Sequence, residues 1–530
     1  MKKQTARVGK FCITVFCLIL STMSGNAQGL DERINDGFMP VAEWWENLIL
    51  SEVFGVPIVL ILLLGGALFF TIYFGFVNIR YFAKAIQVVR GKYDHLEAIS
   101  SKSEDIKNTI KDESVHGEVN HFQALATAVS GTVGLGNIAM VAVAITIGGP
   151  GATFWMIVAG LLGMSTKFVE CTLGVKYRKV NADGSISGGP MYYLSSGLKE
   201  RGFEKIGKVL SVVFALLCVG ASFGGGNAFQ SNQAAAQIIS RFGIAAPSSG
   251  FWIGVIFAIV GGVIIIGGIK RIASVTEKLV PLMAALYVIS ALIILGMNID
   301  KIGGAISLIF SEAFSPRAGI VGGVAVVIIQ GFRRAAFSNE AGAGSAAIAH
   351  SAVQTKYPVS EGLVALLEPF IDTVLICTLT ALVIIIFNMD GAFLYGDVVN
   401  GEALMTATGE RVGGVNLTSM AFDSVLPGFS YLLVVAVVLF ALSTMISWSY
   451  YGLQAWKYLF GDTKKVDITY KIIFLVFTVL GSSVTLDAVI KFSDAMILAL
   501  VFPNMIGLFF LYPIVKRELK EYLNLIKNMK

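Results

Sequence analysis

Apolar stretches of membrane-crossing length follow one another along most of this chain, separated by short polar segments. A helix needs about 20 apolar residues to cross the hydrocarbon core of a bilayer. Eleven segments meet or approach that length: roughly 56–79 (span 1), 121–147 (span 2), 150–176 (span 3), 207–239 (span 4), 250–269 (span 5), 279–298 (span 6), 319–350 (span 7), 358–388 (span 8), 429–456 (span 9), 469–486 (span 10) and 491–514 (span 11). The pattern predicts an all-α polytopic membrane protein with 11 transmembrane helices. The segment 302–314 is too short to cross and is expected at the outer surface. Two spans are interrupted. Span 2 contains Ser130-Gly-Thr-Val-Gly-Leu-Gly-Asn137, and each glycine costs a helix about 1 kcal/mol relative to alanine. Span 7 begins as the apolar run Ile320 to Gln330 and then meets Arg333-Arg-Ala-Ala-Phe-Ser-Asn-Glu-Ala-Gly-Ala-Gly344. In hydrocarbon, freed backbone groups are tolerated only where they line a cavity or meet a ligand. A break at mid-membrane offers amides on one half-helix and carbonyls on the other, which suits a carboxylate beside a sodium ion. A glycine-rich packing face between helices is the competing reading.

Composition supports the membrane assignment. Of 530 residues, 55% are hydrophobic and 14% charged, where soluble domains carry about 25% charged residues. The net charge of +5 is spread over short loops and gives no nucleic-acid face. Lys2, Lys3, Arg7 and Lys10 precede the apolar run Phe11 to Leu20, and Gly25-Asn-Ala-Gln28 follows. That order is the one found in a secretory signal peptide, expected over 1–28; an uncleaved anchor helix is the alternative. Either way, residues from about 30 to 52 are expected outside. Basic residues favour the cytoplasmic side. With span 1 running inward, Arg80, Lys84, Arg90, Lys92, Lys176, Arg178, Lys179, Lys270, Arg271, Lys464, Lys465, Lys516, Arg517 and Lys520 all fall inside. The long segment 389–428 falls outside and carries mainly acids. The chain is therefore expected in the inner (plasma) membrane, N-terminus outside and C-terminus cytoplasmic. Cys12, Cys17, Cys171, Cys218 and Cys377 show no ligand-like spacing, so neither disulfides nor a metal cluster is expected.

Spans 2 and 7 lie five apart and enter from opposite sides. Interrupted spans at matching places in two halves of opposite orientation point to a 5+5 inverted repeat with the site between them. Spans 2–6 form one repeat and spans 7–11 the other. The implied organisation is a leader (1–28), an external segment with accessory span 1 and a cytoplasmic loop (29–120), a first repeat (121–298), a second repeat with the external loop 389–428 (299–514), and a cytoplasmic tail (515–530).

Five runs carry a family resemblance: Thr127-Ala-Val-Ser-Gly-Thr-Val-Gly-Leu-Gly-Asn-Ile138, Gly148-Gly-Pro-Gly-Ala-Thr-Phe-Trp-Met156, Gly188-Gly-Pro-Met-Tyr-Tyr193, Phe337-Ser-Asn-Glu-Ala-Gly342 and Trp448-Ser-Tyr-Tyr-Gly452. On these the chain resembles the alanine or glycine:cation symporter family, also called the sodium:alanine symporter family. Members are similar in fold to the leucine transporter and its wider amino acid, polyamine and organocation superfamily. The resemblance implies import of alanine and/or glycine coupled to sodium by alternating access. The longer outer loop at 389–428 and the leader-like N-terminus depart from the compact family pattern.

The substrate so implied has an ammonium, a carboxylate and almost no side chain. Amides around Thr132, Val133, Gly134 and Gly136 are candidates for its carboxylate, since glycine admits close approach and half-helix N-termini favour anions. Asn137 either binds directly, orients a carbonyl or caps the helix inside the break. Resemblance to the leucine-transporter fold implies a sodium site between spans 2 and 9. There the carbonyls of Ser130 and Val133 would face the Phe440 carbonyl and the hydroxyls of Ser443 and Thr444. A membrane-helix hydroxyl otherwise bonds its own backbone. By resemblance, Gln230 contacts substrate, with interhelical hydrogen bonding as the alternative. Ser338, Asn339 and the backbone through Gly342 are expected to line the opposite wall and receive the ammonium. Met140, Phe337 and Trp448 are candidates for limiting side-chain size.

Several charges are costly at mid-membrane. Lys167 and Glu170 are three apart on span 3 and can pair, Glu368 and Asp372 stand four apart, and Arg333 and Arg334 border the span 7 break near Glu340. The four histidines (95, 116, 121 and 350) read as loop-bound or near span ends, and no nucleophile–base–acid set emerges, so no enzyme is expected. Sodium is the expected coupling ion. The alternative is a proton-coupled carrier of small neutral amino acids, in which Glu170, Glu340, Glu368 or Asp372 titrates. The expected partners are a small neutral amino acid and membrane lipid, with no nucleic acid and no obligate protein partner.

Overall fold

A computed structural model describes residues 30–93 and 118–528, apart from 182–183, 247, 267, 318, 321 and 426. The leader, His95, His116, Cys12 and Cys17 lie outside the described residues. Helices occupy all eleven segments. Seven are long and apolar enough to cross a membrane, over 151–176, 204–242, 268–297, 358–388, 429–460, 464–483 and 486–527. Span 2 qualifies as an eighth if its two halves are counted together. Ile58–Tyr73, Ser249–Ile265 and Gly323–Asn339 are shorter, at 16, 17 and 17 residues.

Boundaries move for physical reasons. Span 6 begins at Gly268 rather than 279, because the helix continues through the polar turn Lys270–Lys278 that lowers its hydropathy. Span 11 begins at Leu486, and after Ala499 a second helix, Val501–Lys527, carries it on beyond 514. The tail holds its helix by burying Leu519, Tyr522 and Ile526 at helical spacing. The segment 302–314 is a helix, Ile299–Glu312. The loop 389–428 is not bare: it folds into a three-stranded antiparallel sheet (Phe393–Val399, Glu402–Met405, Arg411–Gly413) and a helix, Gly414–Asp423.

The joint between spans 2 and 3 explains one of the glycine runs. Gly149 has φ +69°, a left-handed conformation that ends one helix, and Pro150 precedes the next. A Cβ on Gly151 would collide with the backbone of Glu312. The N-terminal helix Leu30–Ile49 lies across one end of the bundle. Asp31 accepts from the amides of Gly250 and Phe251 at the start of span 5 (3.2 Å each). Asn35 accepts from Thr485 (3.0 and 2.9 Å), and Glu43 pairs with Lys491 (3.3 Å).

Candidate functional site

The helix of span 2 starts at His121 with a capping box. Asn120 accepts from the Gln123 amide (2.9 Å), and the Gln123 side chain accepts from the Asn120 amide (3.2 Å). It runs to Thr132, and the second half, 135–148, departs at 55°. The way it stops is informative. In an unbroken helix the amide of Gly134 would bond the carbonyl of Ser130, and that of Leu135 the carbonyl of Gly131. Here Gly134 N donates to Asn137 Oδ1 (2.9 Å) and Leu135 N to Gln230 Oε1 (3.0 Å). Two side chains thus take the donors and release the carbonyls at the helix end, where a cation is favoured.

Asn137 is therefore the cap inside the break, and it also bridges. Its Nδ2 donates to the Asp372 carbonyl (3.0 Å) and to Asp372 Oδ1 (2.6 Å), while Thr380 Oγ1 donates to its carbonyl (2.8 Å). Asp372 sits in a widened turn of span 8, Phe370–Cys377, a distortion frequent at functional sites. Gln230 follows a similar widened turn, Gly224–Ala228, and donates to the Gly225 carbonyl (2.9 Å).

Spans 2 and 9 meet where the ion site is expected. Ser130 Oγ donates to the Ser443 carbonyl (2.8 Å), and Ser447 Oγ to the Thr127 carbonyl (3.0 Å). Ser443 Oγ donates to the Phe440 carbonyl (2.9 Å). Thr444 differs: its Oγ1 is buried and has no hydrogen-bond partner among the described residues. A hydroxyl left unpaired in a protein interior is unfavourable by about 1–3 kcal/mol.

Span 7 ends its first helix at Asn339. Glu340 then adopts φ +54°, uncommon for a residue with a side chain, and the helix resumes at Ala346. The Glu340 carboxylate accepts from Trp448 Nε1 (3.0 Å) and from Ser345 Oγ. A small cavity between the breaks is lined by Gly131, Thr132, Gly136, Gly225, Gln230, Phe337, Glu340, Thr444, Trp448 and Ile497. Of the residues expected at the site, Thr132, Gly136, Gln230, Thr444, Phe337 and Trp448 thus share one cavity. Ser338, Asn339 and Gly342 face elsewhere. Ser338 Oγ donates to Asp372 Oδ1 (3.2 Å), Asn339 Nδ2 to Thr373 Oγ1 (2.8 Å), and Gly342 N to Glu170 Oε1 (3.0 Å). Met140 touches Arg334 through its sulfur (3.2 Å). Ile497 is a cavity residue that sequence reading did not assign to a wall, and at Glu340, where only the backbone was expected to line it, the side chain does so as well.

The charged residues pair across spans. Lys167 does not take Glu170; its Nζ donates to Glu368 Oε1 (3.0 Å). Glu170 accepts instead from Asn504 Nδ2 (2.6 Å). His350 stands at a span end, as the last residue of the helix Ala346–His350, and is fully buried there. Arg333 and Arg334 do not reach Glu340. Both donate to Asp494 Oδ2 (2.8 and 2.7 Å), and Arg333 also donates to Glu46 Oε1 (2.6 Å). Asp494 stands three residues before the cavity-lining Ile497 on the same helix, so this cluster lies one turn from the cavity wall. Removing one partner of a buried ion pair costs about 3–5 kcal/mol. Asp494→Ala is accordingly expected to lower the thermal midpoint in detergent by several degrees, whereas Glu46→Gln, at the rim, is expected to shift it by little.

The model of the sodium:alanine symporter family matches residues 40–530. The sodium/alanine symporter AgcS of Methanococcus maripaludis is 38% identical over 482 residues, 91% of this chain and 97% of its own length. YrbD of Bacillus subtilis, proposed to be a sodium/proton-dependent alanine carrier protein, is 36% identical over 79% of this chain and 84% of its own. GlnT of the same organism, proposed to be a sodium/glutamine symporter, is 32% identical over 89% of each chain.

Proposed function

We propose that this chain, which belongs to the sodium:alanine symporter family, imports alanine and/or glycine with sodium by alternating access. The family consists of transporters, so the chain is a multi-pass membrane carrier and not an enzyme. The observation that carries the sodium reading is the meeting of spans 2 and 9. The freed carbonyls of Ser130 and Gly131 lie at a helix end, and Thr444 Oγ1 is buried beside the break without a partner among the described residues. Sodium is held by such neutral oxygens. Ser130, Val133, Phe440, Ser443 and Thr444 are the proposed ion ligands.

The substrate is proposed to occupy the cavity between the breaks. Its ammonium faces Glu340, and its carboxylate faces the backbone from Thr132 to Gly136, although the Gly134 and Leu135 amides already serve Asn137 and Gln230. Gln230 and Asn137 hold that backbone open; Ser338, Asn339 and Gly342 support the wall from behind. Phe337, Trp448 and Ile497 line this cavity and are proposed to limit the size of the side chain. A competition panel tests this selectivity. Excess unlabelled alanine and glycine are expected to suppress uptake of labelled alanine, while glutamine and leucine leave it nearly unchanged. Strong suppression by glutamine would remove the size argument.

A second reading, proton-coupled transport, is favoured by one observation: the carboxylate of Glu340 lines the cavity itself. The proposed architecture is eleven crossings with spans 2–6 and 7–11 as inverted repeats, in the plasma membrane. The N-terminal helix is outside and the tail is cytoplasmic. Asp36 and Asn528 are exposed, so Asp36→Cys should react with an impermeant reagent in intact cells and Asn528→Cys only after permeabilisation. Labelling of both from one side would overturn the orientation.

A further inference from the structure

The centre of the bundle buries more negative than positive charge. Glu170, Glu340, Glu361, Glu368 and Asp372 are each at most 2% exposed, and Lys167 and His350 are 0% exposed. His121, with 13% of its side chain exposed, stands at the start of span 2. Even with both imidazoles protonated, five carboxylates face three cations. Buried charge is tolerated only when it is compensated, so protons or other cations must make up the difference.

Part of this set forms a continuous chain. His121 Nδ1 contacts Glu361 Oε2, and Glu361 Oε1 lies 2.5 Å from His350 Nδ1. His350 Nε2 faces Glu368 Oε2 at 3.7 Å, and Glu368 Oε1 receives Lys167 Nζ at 3.0 Å. The chain passes from span 2 to span 8, to span 7, back to span 8 and on to span 3. Exposure falls from 13% at His121 to 0% at every later member.

The link between His350 and Glu368 is the telling one. With Nδ1–H directed at Glu361, a neutral His350 turns the lone pair of Nε2 toward a carboxylate oxygen. Both Nε2 and Oε2 are buried, and neither has a hydrogen-bond partner among the described residues. Two acceptors cannot face each other stably in an apolar interior; one proton between them removes the conflict. Glu170 Oε2 on the far side of Lys167 is unpartnered too.

We propose that His350 and Glu368 together bind one exchangeable proton, which reaches the cytoplasm through Glu361 and His121 and is released when a cation enters the substrate cavity. The second clause rests on the sodium-coupled reading above. Release follows from electrostatics. Glu340 lines the cavity two residues before Gly342, whose amide donates to Glu170 Oε1 (3.0 Å), and Glu170 stands one helical turn from Lys167, which Glu368 holds (3.0 Å). Positive charge arriving beside Glu340 therefore disfavours the extra proton below it. Glu170 and Cys171 on span 3, Asp372 on span 8 and Tyr451 on span 9 also face this group. Arg178 donates to the carbonyls of Ser351, Val353 and Thr355 just beyond His350. The proton leaves by exchange of N–H and O–H bonds along the chain; no other bond changes.

Linkage makes the effect reciprocal: if sodium expels a proton, protons weaken sodium. The test uses full-length protein in weakly buffered detergent solution with a pH dye, titrated with sodium chloride against potassium chloride and then with L-alanine. Wild type is expected to release up to one proton per molecule on binding sodium. Its sodium affinity is expected to rise with pH by up to about tenfold per unit, the limit for one whole proton. His350→Gln is expected to bind sodium with no proton release and no pH dependence, and Glu361→Gln, which interrupts the route, to release its proton more slowly. His121→Gln, at the exposed end, serves if either buried variant fails to fold and is expected to slow the release. Sodium binding with neither proton release nor pH dependence in wild type would overturn the proposal, as would wild-type release in His350→Gln. Protons released by L-alanine with no sodium bound would overturn the sodium reading and leave the proton site standing.

Discussion

Replacing Gly134 by valine is expected to reduce uptake to below about 1% of wild type per folded molecule, because the break in span 2 has no room for a side chain. The backbone there is extended, with φ −137°, a conformation open to any residue, so glycine is not required for its torsional freedom. What excludes a side chain is the approach of neighbouring helices. A Cβ would collide with Thr444 Oγ1 and lie 3.0 Å from Gln230 Oε1. Thr444 is rooted in a 32-residue helix, and Gln230 is held at both ends of its amide by Leu135 and Gly225. Neither can step aside without opening the break. Valine adds two further methyl groups, and overpacking of this kind costs about 1–3 kcal/mol. That is enough to displace span 9 from span 2 but not enough to unfold a bundle of this size. Uptake and thermal unfolding measured on the same preparation separate the outcomes. Normal uptake per folded molecule would show that the break is a packing face and not the substrate site.

Thr444→Val is expected to raise the sodium concentration for half-maximal uptake by about tenfold or more while leaving the sodium-free protein as stable as wild type, or slightly more so. The two halves of this expectation pull apart for one reason. Valine keeps the shape of threonine and deletes a hydroxyl that, without an ion, has no partner. Deleting an unpaired buried hydroxyl is neutral or favourable for folding. Deleting a ligand of a bound cation is not, and a tenfold loss corresponds to about 1.4 kcal/mol. Ser443→Ala, at a second proposed ion ligand, is the comparison. Its hydroxyl is already committed to the Phe440 carbonyl, so its loss is expected to affect stability more and sodium dependence less. Unchanged sodium dependence in Thr444→Val would remove this residue from the ion site.

The sequence showed most of what is local. Apolar length marked the helical segments, and the glycines of 130–137 and the run 333–344 marked the two breaks, because backbone interruptions leave a direct trace in composition. The meeting of Ser130 with Ser443 was reached only through family resemblance, since nothing in periodicity pairs span 2 with span 9, and the approach of Thr444 to Gly134 was not reached at all. Partners across the bundle were not legible. Lys167 and Glu170 share a helix face by spacing, yet Lys167 chose Glu368, 201 residues away. In a membrane interior any buried charge seeks the nearest compensating group on whichever helix supplies it. His350 read as a span end and is one, and its burial arises from the packing of spans 2 and 3 on the helix Ala346–His350. Gln230 and Asn137 have free-looking amides in the sequence. Capping inside the break was among the sequence readings of Asn137, whereas the role of Gln230 as a substitute for a lost helix hydrogen bond emerges only once the backbone path is known.

The central claim is that sodium entering at the span 2–span 9 contact drives amino-acid accumulation. Purified protein in sealed liposomes, loaded with potassium buffer, can be given labelled alanine under an inward sodium gradient or under an inward proton gradient without sodium. The sodium gradient is predicted to accumulate alanine above its external concentration and the proton gradient alone to give none. Equal accumulation under the proton gradient without sodium would contradict the account.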